Sequence, residues 1–196
     1  MGWPPEELAR AFLDGGARCV QVRAKGLASN RLLDLCDVIT ASAQPYGALV
    51  IVNDRPDIAL MSGAAGVHLG QDDLPPAAVR RLLGSAAVVG FSTHTNDQID
   101  RASAEPVTYV AIGPVFGTST KETGYTAVGL AQVSEAARRL KGVTVVAIGG
   151  ITLERAASVW AAGASSVAVI TDLLKGGNPG GRVREYLQLA ASMPRL

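Results

Sequence analysis

Seven short apolar runs recur along the chain, each followed by a turn and most by a helical stretch. This alternation limits the fold more than any other feature. The runs are Arg18–Val22, Ala48–Val52, Gly66–Leu69, Ala87–Phe91, Thr108–Ile112, Thr144–Ile148 and Ser165–Ile170. Most are continuous Val, Ile and Ala rather than alternating apolar and polar residues. A strand can be apolar on both faces only when both are covered, as in a parallel sheet. Between the runs, Leu27–Ala43, Pro56–Met61, Pro75–Leu83, Asn96–Ser103, Leu130–Leu140 and Leu153–Ala162 read as helices. Pro75 falls in a first turn after Asp73, and Thr152 stands where an N-cap belongs. Gly47, Gly63, Gly84, Gly142 and Gly163 follow helix ends, where glycine accepts the left-handed turn that closes a helix.

Strands alternating with helices through short connections predict βαβ units and a parallel sheet. A closed (β/α)8 barrel and an open doubly wound sheet both satisfy that pattern. The opening stretch Pro4–Gly15 reads as a helix with no strand before it, whereas a complete barrel begins with a strand. Lys175–Gly180 reads as a loop, followed by a last helix around Arg182–Ala191. No interdomain linker interrupts the 196 residues, so one domain spanning 1–196 is expected.

Apolar residues make up 48% and charged residues 18%, so the chain can offset its ordering entropy by burial. The formal net charge of +1 gives no global field toward nucleic acid or an acidic membrane, and any phosphate affinity must be local. Neither is expected as a partner. No run is long enough to span a bilayer, and a cytoplasmic location is the expectation. Cys19 and Cys36 lie in apolar stretches without metal-ligand spacing and are expected to be buried, reduced thiols.

In parallel barrels the chemistry sits just after the C-terminal ends of the strands. After the first run, Gln21, Arg23 and Lys25 share one face of an extended chain and suit an anionic ligand. Asn53 and Asp54 follow the second run, with helix capping as the competing role. Gly70-Gln71-Asp72-Asp73 follows the third. Asp54 and Asp73 together are the kind of two-carboxylate pair that holds Mg²⁺, which keeps waters and takes few protein ligands. His68 reads as a satisfied core histidine. His94 follows a strand, beside Ser92, Thr93 and Thr95, which could donate to phosphate oxygens or form local turns. The segment Gly113–Lys121, followed by Glu122-Thr123-Gly124, has little regular-structure propensity. Its Thr118, Ser119 and Thr120 with Lys121 would wrap a phosphate. Gly149-Gly150 opens a helix whose backbone N–H groups favour an anion, and Ile170-Thr171 follows the last strand.

Taken together, these motifs resemble the thiamine phosphate synthase family. The resemblance rests on Val20-Gln21-Val22-Arg23-Ala24-Lys25, Val52-Asn53-Asp54-Arg55, Gly66–Pro75, Ser92-Thr93-His94-Thr95, Gly113–Lys121 and Ala147-Ile148-Gly149-Gly150-Ile151. It runs in family order over roughly residues 10–175. It implies a (β/α)8 TIM barrel that joins a pyrimidinylmethyl diphosphate to a thiazole phosphate, with Mg²⁺ as cofactor and small phosphorylated molecules as partners. A homo-oligomer is left open. By position, the resemblance gives Gln21, Arg23, Lys25, Asn53, Ser92 and Lys121 to the pyrimidine diphosphate. Arg23, Lys25, Ser92 and Lys121 are the catalytic set, and Asp54 and Asp73 the metal ligands. Thr118 and Thr120 face the thiazole, and Gly150 with Ile170 and Thr171 holds its phosphate. One departure stands out: Met1-Gly2-Trp3-Pro4-Pro5 leads directly into Glu6–Leu13, so the first barrel strand is expected to be missing, through a shortened chain or a misplaced start. A thiazole tautomerase-like barrel and a non-catalytic phosphate binder are the competing readings.

Overall fold

The outward-facing rows of the strands explain why the chain organises as it does. In a computed structural model, which describes residues 2–117 and 124–193, Val52, Val67, Leu69, Val89, Val110 and Ile112 are fully buried beneath helices. The elements alternate in chain order. They are α1 (Pro5–Asp14), β1 (Cys19–Val22), α2 (Ser29–Ala43), β2 (Leu49–Asn53), α3 (Pro56–Met61), β3 (Gly66–Leu69), α4 (Pro76–Leu83), β4 (Val88–Thr93), α5 (Asn96–Ser103), β5 (Tyr109–Ile112), α6 (Gly129–Arg139), β6 (Thr144–Ile148), α7 (Leu153–Ala161), β7 (Ser166–Ala168) and α8 (Pro179–Ser192). Short 3-10 segments cover Gln44–Tyr46 and Thr171–Gly177.

The seven strands form one parallel sheet in sequence order, β1 through β7. The pattern of continuous apolar runs therefore reads correctly as a parallel sheet. Closure does not follow: β7 and β1 do not pair, and the sheet is a curled, open barrel among the described residues. The seam shows in the burial of the inward row. Inward positions in the middle of the sheet, such as Ile51 and Ala111, are buried, while Cys19 and Gln21 on β1 and Ser166 on β7 are exposed. This overturns the expectation that Cys19 is buried; only Cys36 is, and burial pushes its thiol up to about 11. Outside the seam, α1 packs against α2 and α8. A Cβ at Gly15 would sit 2.5 Å from the Gly180 carbonyl oxygen, so the α1–α8 approach depends on bare backbone.

Register assigns the inward row. Asn53 pairs with His68, His68 with Gly90, and Gly90 with Tyr109. Gly90 has no side chain because the Tyr109 ring lies across it: a Cβ there would be 2.1 Å from the ring. Two buried apolar clusters, one on each half of the sheet, meet through Phe91 and Val107.

The N-terminal end of the sheet is held by one side chain. Arg80 of α4 donates to the carbonyls of Pro106 (2.9 Å), Ser85 (3.1 Å) and Ala87, where β4 and β5 begin. Its Nη2 also reaches Thr108 Oγ1, which accepts from the Val89 N–H at 3.0 Å. Arg80→Ala is expected to destabilise the fold by about 2 kcal/mol, because it leaves several carbonyls without their donor. Urea unfolding measures this. Ligand KM values should stay unchanged, since the clamp lies at the end opposite the loops that carry chemistry.

Candidate active site

Asp54 is the one non-glycine residue at positive φ among the described residues, at 63°. Its N–H donates to the His68 carbonyl at 2.8 Å, which turns the chain at the end of β2. An aspartate tolerates this conformation better than most side chains. Strain of this kind is held by its surroundings and clusters at functional sites. The turn sends the Asp54 carboxylate toward Asp73, after β3, within hydrogen-bonding reach of it. Asp73 is itself fixed by the Gly70 N–H, which donates to its Oδ2 at 2.7 Å. Burial and the neighbouring Asp54 raise the Asp73 pKa above the ordinary carboxylate range, against the pull of the Gly70 amide and of Lys25. Lys25 Nζ lies 3.2 Å from Asp54 Oδ2. Two hard carboxylates held face to face, half-open to solvent, are a donor set that could hold a divalent cation.

Beneath this pair the inward row carries a buried polar chain. The Tyr109 hydroxyl lies 2.9 Å from His68 Nδ1, and His68 Nε2 lies 2.8 Å from Ser92 Oγ. Gln71 donates to the Ser92 carbonyl at 2.6 Å. Burial pushes the Tyr109 phenol up. Asn53 and Ser92, expected at the ligand, are both buried on this inward face, whereas Gln21, Arg23 and Lys25 are exposed at the end of β1. The structure therefore brings Lys25 to the carboxylates and ties Ser92 to His68. Sequence reasoning placed His68 in the core, which is where it sits, but missed Tyr109 as its partner. The two are 41 positions apart, and the glycine at position 90 was the only trace of their contact.

The ends of β5 and β6 are joined through glycines. Val115 N–H donates to the Ile148 carbonyl at 2.8 Å, and Phe116 N–H to that of Gly149 at 3.0 Å. Cβ atoms at Gly113, Gly149 and Gly150 would meet Ile148 O at 2.2 Å, Pro114 Cβ at 2.5 Å and Gly117 O at 2.7 Å. Gly149 and Gly150 are at φ of 97° and 63°. Arg155 spans the joint: its guanidinium lies 4.7 Å from the Phe116 ring centre and donates to Gly150 O at 3.0 Å. Across the mouth, His94 bonds through Nδ1 to the Gly113 carbonyl and stacks on Tyr125 with ring centres 3.9 Å apart. Thr95 caps α5 by accepting from the Gln98 N–H at 3.3 Å. Thr118, Ser119, Thr120 and Lys121 lie outside the described residues.

After β7, Ile170 is exposed, and Thr171 opens a 3-10 segment that runs into the loop expected at Lys175–Gly180; the backbone is non-helical at Lys175 and Gly176, and α8 already begins at Pro179. Thr152 occupies the N-cap position of α7 but its side chain makes no cap bond to the helix amides, contrary to expectation. The Leu153 N–H is taken instead by Asp172, at 3.1 Å. No described helix is long and apolar enough to cross a membrane.

Comparison with known proteins identifies the family and agrees with the fold. The family model described as thiamine monophosphate synthase matches residues 4–173. A thiamine-phosphate synthase of Anaeromyxobacter dehalogenans is 45% identical over 178 residues, covering 91% of this chain and 79% of that protein. One from Roseiflexus castenholzii is 38% identical over 185 residues, covering 94% and 81%. The solved thiamine phosphate pyrophosphorylase from Pyrococcus furiosus superposes with a TM-score of 0.89 at 26% identity, covering 96% of this chain and 90% of that one. With a family model matching nearly its whole length and relatives at 38% and 45% identity, this chain belongs to the thiamine monophosphate synthase family.

Proposed function

We infer that the protein is a transferase that makes thiamine phosphate. It would join 4-amino-2-methylpyrimidin-5-ylmethyl diphosphate to a thiazole phosphate, carboxylated or not, and release diphosphate. The observation that carries this reading is the meeting of Asp54 and Asp73 beside Lys25 at neighbouring strand ends. No nucleophile or strong base is needed, because the aminopyrimidine can push electrons toward its exocyclic carbon as the C–O bond breaks. The thiazole nitrogen then captures the resulting cation. The chain's work is to stabilise the leaving group and to align the second ring.

On this reading Arg23, Lys25, Ser92 and Lys121 bind the diphosphate, and Gln21 and Asn53 orient the pyrimidine. Asp54 and Asp73 hold Mg²⁺, which when bound neutralises charge on the departing diphosphate. Thr118 and Thr120 contact the thiazole. Gly150 and the backbone at Ile170 and Thr171 bind its phosphate, with amides that need no side chain. The curled sheet corresponds to strands two to eight of a (β/α)8 barrel, with the position of the first between β7 and β1.

Mixing the purified protein with both substrates and Mg²⁺ should yield thiamine phosphate and diphosphate together. Chelation with EDTA should lower the rate about 10²-fold or more, and added Mg²⁺ should restore it. A folded sample that makes no product from either thiazole form rules the reading out.

A further inference from the structure

The mechanism leaves one deeply buried charge unused. Asp172 follows the Ile170–Thr171 backbone and is 3% exposed. Its Oδ2 accepts from the Leu153 N–H at 3.1 Å, from Arg182 Nε and Nη2 at 3.0 and 2.9 Å, and from the Tyr186 hydroxyl at 2.8 Å. Lys175 Nζ lies 3.0 Å from its Oδ1. Burial pushes its pKa up, but the donors from Tyr186, Lys175, Arg182 and Leu153 outweigh burial and hold the carboxyl below the ordinary range. The group is therefore an anion at neutral pH, surrounded by donors from three elements.

Its position matters more than its charge. The residues after β6 and β7 are neighbours, since Ile148 pairs with Ala168. One side of the β6 turn is fixed by Arg155 on Gly150 O and by the Phe116 N–H on Gly149 O. On the other side, the bond from Asp172 to Leu153 is a cap supplied across the fold, where the local Thr152 supplies none. It joins the first turn of α7 to the segment after β7.

We propose that Asp172 is a positioning residue for the thiazole phosphate, locking the Gly150 turn and the Ile170–Thr171 backbone into one rigid cradle. This rests on the assignment of that cradle to the thiazole phosphate. Asp172 does not touch the ligand. It sets the spacing of the amides that do, and misplaced amides weaken anion binding even when all are present.

The test is steady-state kinetics on intact Asp172→Ala, Asp172→Asn and Tyr186→Phe, varying each substrate in turn. Asp172→Ala should raise KM for the thiazole phosphate about tenfold or more, with KM for the pyrimidine diphosphate unchanged. Asp172→Asn should recover part of this, because its amide oxygen still accepts from Leu153. Tyr186→Phe removes a donor to the same carboxylate but leaves the Leu153 bond. It should lower the melting temperature without changing either KM. If Asp172→Ala moves both KM values together, or lowers the melting temperature alone, the proposal is overturned. A lower thiazole phosphate KM in Asp172→Asn also overturns it, since that is the result expected of mere charge repulsion. A wild-type protein that turns over neither thiazole form rejects the assignment of the cradle itself, independently of the variants.

Discussion

Asp54→Asn and Asp73→Asn should each lower turnover about 10³-fold or more while leaving the fold intact. Asparagine is the informative replacement at position 54, because it tolerates the left-handed backbone that Asp54 adopts, at φ of 63°. Alanine there would add backbone strain of about 1 kcal/mol or more and mix two effects. At position 73 an amide oxygen can still accept the Gly70 N–H. Both variants keep local structure and remove one negative charge. Circular dichroism and the melting temperature check folding, and product formation checks activity. Wild-type rates in both variants would mean that the metal assignment is wrong.

The same pair makes a thermodynamic prediction with a definite sign. Asp73 has a raised pKa in the folded protein, so the native state keeps a proton that the unfolded chain has already released. Without divalent cation, stability therefore falls as pH rises from the ordinary carboxylate pKa through the raised one, and stays lower above it. Mg²⁺ should reverse this by raising the melting temperature at neutral pH. That rise should vanish in Asp73→Asn, which should melt slightly higher than wild type when no cation is present. Melting curves across pH, with and without Mg²⁺, measure both effects.

Gly149→Ala should destabilise the protein by about 3 kcal/mol or more, as backbone strain and overpacking add. The new Cβ would sit 2.5 Å from Pro114 Cβ and 2.6 Å from its Cα, atoms that belong to a ring and a backbone and cannot swing aside. The substitution would also meet a φ of 97°. Either the β5 and β6 ends separate, breaking the bond from Phe116 to Gly149, or the turn abandons its conformation. Gly63→Ala is the control. It has a φ of 62° and nothing within 4 Å of its Cβ position, so it should carry the conformational penalty alone, about 1 kcal/mol. Urea midpoints of the two variants separate the steric contribution. Equal midpoints would show that the joint is looser than its geometry indicates.

The sheet was legible because its signal is local. Runs such as Gly66–Leu69 and Thr144–Ile148 need covering on both faces, and Gly47, Gly63, Gly84, Gly142 and Gly163 follow the ends of five helices within a few residues. The site was legible as far as it follows strand ends: Asp54 and Asp73 meet after neighbouring strands as expected, whereas Lys25, read as a group for an anionic ligand, pairs with Asp54 instead. Three features were not. The exposure of Cys19 depends on an unpaired seam rather than on its own apolar neighbours. The Tyr109–His68–Ser92 chain depends on strand register, which sets partners far apart in sequence. The cap on α7 comes from Asp172, 19 positions beyond the helix start, while the nearby Thr152 has the right chemistry but makes no cap bond. Each turns on a long-range pairing, made or missing, that a window of neighbouring residues does not contain.

The left-handed backbone at Asp54 also shapes how such a protein can drift across generations. Glycine and asparagine take that conformation with little penalty, and neither carries a charge. A lineage that substitutes at this position therefore meets no folding barrier on its way to losing the proposed cation site. Relief of the repulsion with Asp73 even gives that step a small gain in stability, the usual exchange of activity for robustness. Once selection on turnover relaxes, such lineages should persist as well-folded phosphate binders that keep the proposed cradle and have lost the chemistry.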